Sequence, residues 1–138
     1  MSALAFVLLF SACGGTTSVQ PVDADRLVEL GEQLFHSEGC VNCHGEMGEG
    51  VTGPALRDGS VVVTFPACAD QLRWVSLGSA RWKRDVGPSY GAQSKLVTGG
   101  MPGFGSRLDD EQLESVVTFT RVRFGGLEAA EAVADCFG

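Results

Sequence analysis

Positive charge is in short supply in this 138-residue chain: 10 lysines and arginines stand against 17 acidic residues, for a net charge of -7. That balance speaks against nucleic acid as a partner, because phosphate contacts call for a basic patch, and it favours a docking partner with a basic face. Histidine is scarcer still, with His36 and His44 the two in the chain. Of five cysteines, Cys40 and Cys43 make one CxxC pair, and no second CxxC or Cys/His pair exists to complete a zinc site of the usual spacing. A thioredoxin-like redox pair would need a βαβ setting, and the sequence pattern offers none. Long hydrophobic runs are missing too. The apolar stretch Ala3 to Phe10 has eight residues, whereas a helix crossing the bilayer core takes about 20.

What is present centres on Cys40-Val41-Asn42-Cys43-His44, the spacing of a covalent c-type haem attachment site. Two thiols three positions apart can each bond a vinyl group of one porphyrin, and the neighbouring imidazole is then placed to bind the iron. Glycines cluster around this segment, from Gly39 to Gly59, and again from Gly99 to Gly105. Backbone without side chains can wrap closely round a flat ligand. One globular domain is expected, with the cofactor supplying part of its core.

Three segments are expected along the chain. Residues 1–12 read as a signal segment: the apolar run is followed by Phe10-Ser11-Ala12-Cys13, which resembles the lipobox of bacterial lipoproteins, with Cys13 the acylated N-terminus. Residues 13–23 are mostly small and polar, as a flexible tether would be, and 24–138 form the cofactor-bearing domain. An exported protein at the outer face of the cytoplasmic membrane or in the periplasm is the expectation, held to the membrane through its lipid.

Within the domain, Leu27, Leu30, Gly31, Leu34 and Phe35 recur at helical spacing over 24–36, with Asp23 or Asp25 suited to cap the start. Gly31 costs about 1 kcal/mol against alanine in such a helix, which points to a close crossing with another helix that carries a bulky aromatic. Val61-Val62-Val63 is a short β-prone run, read as extended. A helix over 66–77, with Leu72, Val75 and Trp74 inward, is expected to stop at Gly78. The best-signalled helix covers 108–122: Asp109 and Gln112 have capping-box spacing, and Leu113, Val116, Val117 and Thr120 give the inward stripe beside Phe119. An additional short helix is expected over 127–134.

Met101 lies 57 positions beyond His44 in Gly99-Gly100-Met101-Pro102-Gly103, where Pro102 and the glycines exclude a helix or strand interior. Methionine normally fills gaps on regular elements. In this loop it makes better sense as a soft thioether ligand to iron, ahead of Met47, too near the attachment loop, and His36 at the end of the first helix. Cys68 and Cys136 remain, 68 residues apart, and an oxidising location favours a bridge between them over two separate thiols.

Gly31-Glu32-Gln33-Leu34-Phe35, Cys40 to His44 and Gly53-Pro54-Ala55-Leu56 together resemble the N-terminal half of class I c-type cytochromes. The resemblance implies an all-α cytochrome c fold wrapped around one covalent haem c. It further implies that His44 binds the iron, that the Pro54 carbonyl orients the His44 ring, that Leu56 packs on the porphyrin, and that Met101-Pro102 supplies the distal ligand before the last helix. Trp, Tyr or Arg would meet the haem propionates, with Trp82, Tyr90 and the basic group Arg81, Lys83 and Arg84 in the region where such residues lie. Two axial ligands leave no open position at iron, so an electron carrier serving redox protein partners is expected, not an enzyme, with no small-molecule substrate at the metal. The alternatives are an accessory haem subunit of one dehydrogenase or terminal oxidase, or a haem sensor with a labile methionine.

Overall fold

The computed structural model describes residues 23–138; the expected signal segment, Cys13 and the expected tether up to residue 22 lie outside them. Six helices and one two-residue hairpin make up the described chain. Helix α1 (Ala24–Ser37) starts at Asp23, whose carboxylate accepts from the Arg26 amide at 3.2 Å. It buries Leu27, Gly31, Leu34 and Phe35, the stripe that its spacing predicts. Helix α2 (Cys40–His44) is little more than one turn, entered through Gly39 in the left-handed region. Helix α5 (Asp110–Arg123) carries a complete capping box between Asp109 and Gln112.

The crossing of α1 on α5 is the frame of the molecule. A Cβ on Gly31 would run into the Ser115 carbonyl oxygen and lie 2.6 Å from Phe119 Cβ, so hydrogen alone fits there. Closeness of the two backbones lets Phe35 meet Phe119 and Phe124, each with ring centroids 5.5 Å away. Between Ser115 and Arg121, α5 is buried on all sides, more than the single stripe read from its sequence. The additional coverage comes from α4 (Cys68–Asp85) and from α6 (Ala129–Cys136), which pack on it.

One expectation for the middle of the chain is corrected. The valine run forms helix α3 (Ser60–Thr64), not an extended segment. Gly59 turns the chain at φ 76°, the Ser60 hydroxyl donates to the Ala55 carbonyl, and Val61 enters the core while Val63 stays exposed. Those local bonds and the burial of Val61 outweigh the β preference of valine. The helix expected over 66–77 does lose its helical geometry at Gly78 (φ 67°, ψ 173°), as its sequence implies. Beyond that break a second helical stretch, not expected from the sequence, runs on to Asp85 with its own buried anchors in Ser79 and Trp82, and the two joined at the kink are α4 (Cys68–Asp85). Strands β1 (Ser89–Tyr90) and β2 (Lys95–Leu96) then pair antiparallel, Ser89 opposite Leu96 and Tyr90 opposite Lys95.

At the C-terminal end, α6 is fastened by a disulfide between Cys68 and Cys136, with Cα atoms 5.2 Å apart. Beside it, the buried Arg121 guanidinium donates to the Phe65 and Pro66 carbonyls at 2.8 and 3.0 Å and to Asp135 at 2.7 Å. No described helix is long and apolar enough to cross a membrane.

Candidate functional site

Cys43 and His44 end a single helical turn, and the loop beyond His44 folds back to hold that turn still. The amides of Val51, Thr52 and Gly53 all donate to the Cys43 carbonyl, at 2.9, 3.2 and 2.9 Å. The Gly50 amide donates to the His44 carbonyl at 2.7 Å. Gly53 leaves little room to spare, since a Cβ there would sit 3.1 Å from His44 Cε1 and 3.2 Å from the Cys43 carbonyl oxygen. With the loop this close, the Pro54 carbonyl stands 2.9 Å from His44 Nδ1. A carbonyl can only accept, so Nδ1 carries the proton and Nε2 keeps a free lone pair. Burial pushes the His44 pKa below its ordinary value, with the Pro54 bond opposing that shift. Burial favours the neutral imidazole and the Pro54 bond orients it, the form that binds a metal.

Met101 reaches the same cavity from the opposite direction in the chain, and the kink at Gly78 brings it there. An unbroken helix would spend the Ser79 amide on the Val75 carbonyl. Here the Ser79 amide donates to the Met101 carbonyl at 2.9 Å, and the freed Val75 and Ser76 carbonyls accept from Phe104 and Gly105 at 3.0 and 3.1 Å. The Met101 amide closes the set on Ser79 Oγ at 3.0 Å. The methionine loop thus replaces a missing stretch of helical hydrogen bonding. Gly103 makes the approach possible, since a Cβ there would come 2.5 Å from the Leu77 carbonyl oxygen.

Cys40, Cys43, His44, Pro54, Leu56 and Met101 all line one cavity of about 730 Å³. That volume lies within the about 300–1,000 Å³ of cofactor sites. Its inner wall is apolar, from Phe35, Val61, Val75, Phe104 and Val116. Cys40 and Cys43 take part in no disulfide, and burial pushes the Cys40 thiol up to about 11. A thiol so hard to ionise is unlike the lowered thiol of a redox CxxC pair. Among the described residues, no group of three or more Cys, His, Asp or Glu side chains is arranged to hold a metal ion. The two other ligand candidates stand apart: Met47 is half exposed against Arg123, and His36 lies at the surface 3.6 Å from Glu46.

A family model for cytochrome c matches residues 28–121, from the second turn of α1 to near the end of α5. The chain belongs to the cytochrome c family. It is an electron-transfer haem protein with the all-α cytochrome c fold, and the cofactor of its family is covalently bound haem c. No curated protein and no solved structure matches it. The residues present fit that cofactor: paired thiols and an oriented imidazole on one wall, a thioether on another, and an apolar interior between. Helix α6, which carries Cys136 of the disulfide, lies beyond the matched part of this cytochrome.

Two residues of the cavity were not among the expected site residues, although Trp74 was expected to face inward. Trp74 lines it and donates its indole N–H to Met101 Sδ at 3.1 Å, and Lys95 lines it with Nζ 2.7 Å from Thr64 Oγ1. Neither belongs to a motif. Of the residues considered for the propionates, Tyr90 lines the cavity, while Arg81 and Arg84 pair with Asp85 at the surface and Trp82 donates to the Ser89 carbonyl.

Proposed function

We propose that this cytochrome carries single electrons between redox proteins outside the cytoplasm, using one haem c bonded to Cys40 and Cys43 and held axially by His44 and Met101. The observation that carries the proposal is the shared cavity: the free Nε2 of a Pro54-fixed imidazole and the Met101 thioether belong to the same apolar space. When bound, haem supplies an iron that gains or loses one electron, and thioether ligation favours the reduced state. The chain's own task is to change little when that happens. Pro54 keeps the His44 ring oriented, the α4 kink keeps the Met101 backbone in place, and the apolar wall keeps water away. With His44 and Met101 both holding the iron, no residue of this chain would need to act as acid, base or nucleophile, and no substrate would bind at the metal. Cys13, outside the described residues, serves in this proposal as the lipid anchor, and the acidic surface suits a partner with a basic face.

Carbon monoxide tests the ligand pair. The reduced wild-type protein should resist it, and Met101→Ala should bind it readily while losing the sulfur-to-iron charge-transfer band of the oxidised form. Wild-type protein that takes up carbon monoxide as fast as the variant contradicts a stable His44/Met101 pair.

A further inference from the structure

We propose that Trp74 is the positioning residue of the distal ligand: its indole N–H fixes the Met101 sulfur and biases the iron toward the reduced state. The inference rests on the reading of Met101 as axial ligand and adds a residue that no motif assigns. Trp74 Nε1 lies 3.1 Å from Met101 Sδ. An indole nitrogen can only donate, so the direction of this bond is fixed. A thioether sulfur has two lone pairs; the N–H engages one and leaves the other for a metal.

The indole is itself clamped. Tyr90 does this by stacking on it with ring centroids 4.1 Å apart and planes 18° from parallel, while Trp82 only meets its edge at 5.3 Å, a contact that a phenylalanine would keep. Ser79, across the kink on the same helix, holds the Met101 backbone by both its amide and its hydroxyl. Helix α4 therefore grips the methionine at the main chain and at the sulfur. Nearby Trp82 spends its own N–H on the Ser89 carbonyl at 2.9 Å and does not line the cavity, so burial of an indole here does not by itself mean a bond to sulfur.

A donor on the sulfur draws electron density from it, and weaker donation by the ligand disfavours Fe(III) more than Fe(II). Removing the N–H should then make the protein easier to oxidise. The scale of one hydrogen bond sets the effect at about three- to tenfold in the Fe(III)/Fe(II) ratio.

The test is an optical redox titration of the purified haem-loaded protein, in which a mediator delivers one electron per iron. Wild type is compared with Trp74→Phe, with Trp82→Phe, and with a protein carrying benzothienylalanine at position 74, which keeps the indole's shape without its N–H. At the potential where wild type is half reduced, both proteins altered at 74 should show a ratio about three- to tenfold higher, with the sulfur-to-iron band retained. Trp82→Phe should stay half reduced. An unchanged ratio in the benzothienylalanine protein, or an equal shift in Trp82→Phe, overturns the proposal. Absence of the band from wild type is a separate outcome, which removes the ligand reading and the proposal with it.

Discussion

Arg121 is buried to 1% of its side-chain surface, yet its acidic partner Asp135 is 38% exposed. The unequal burial separates two contributions. Water screens the pairing with Asp135, whereas the Phe65 and Pro66 carbonyls have this guanidinium as their donor inside the protein. Arg121→Met should therefore cost about 3 kcal/mol in denaturant unfolding, and Asp135→Asn less than about 1 kcal/mol, with the visible spectrum of neither variant altered. At this scale the sequence revealed what is written in consecutive residues and little else. Cys40, Cys43 and His44 are legible because one turn of chain contains them. Trp74 is 27 residues from the sulfur it touches, and Arg121 is 56 from Phe65, distances across which no local pattern carries information.

Among the elements, two glycines do opposite jobs. Gly31 admits α5, and Gly78 admits the methionine loop. Gly31→Ala forces the added methyl onto the Ser115 carbonyl and should cost about 1–3 kcal/mol in thermal or denaturant unfolding, leaving the ligand band where it was. Gly78→Ala combines a strained φ of 67° with a collision against the Pro102 and Gly103 backbone. It should lose a similar amount of stability and also weaken the sulfur-to-iron band, because Met101 hangs on Ser79 next door. The capped helices α1 and α5 were legible for a plain reason: Asp23 and Asp109 sit at their starts and apolar spacing continues from there. Helix α3 was not, since valine prefers strands and its helical turn depends on Gly59, Ala55 and the core around Val61. The break at Gly78 was legible because glycine readily takes the left-handed angle that closes a helical turn, but the loop that takes up the freed bonds comes 23 residues later and left no local sign.

For the molecule as a whole, the C-terminal helix α6 closes the fold behind α5. Its disulfide joins Cys136 to the first residue of α4, the helix that carries Trp74, Gly78 and Ser79. Cutting the bridge by Cys68→Ser with Cys136→Ser frees a 68-residue loop and should lower stability by as much as about 4 kcal/mol. The midpoint of the folded protein should hold, as the buried Arg121 still ties α5 to the chain entering α4. Everything proposed for this cytochrome comes back to one haem with two axial side chains, handling one electron at a time. A potentiometric titration of purified protein, followed across the visible and near-infrared, tests that directly. The expected result is a single one-electron wave in which the sulfur-to-iron band of the oxidised form vanishes on reduction. Protein that is colourless after expression with intact haem-attachment machinery, or oxidised protein without the band at any potential, would contradict it.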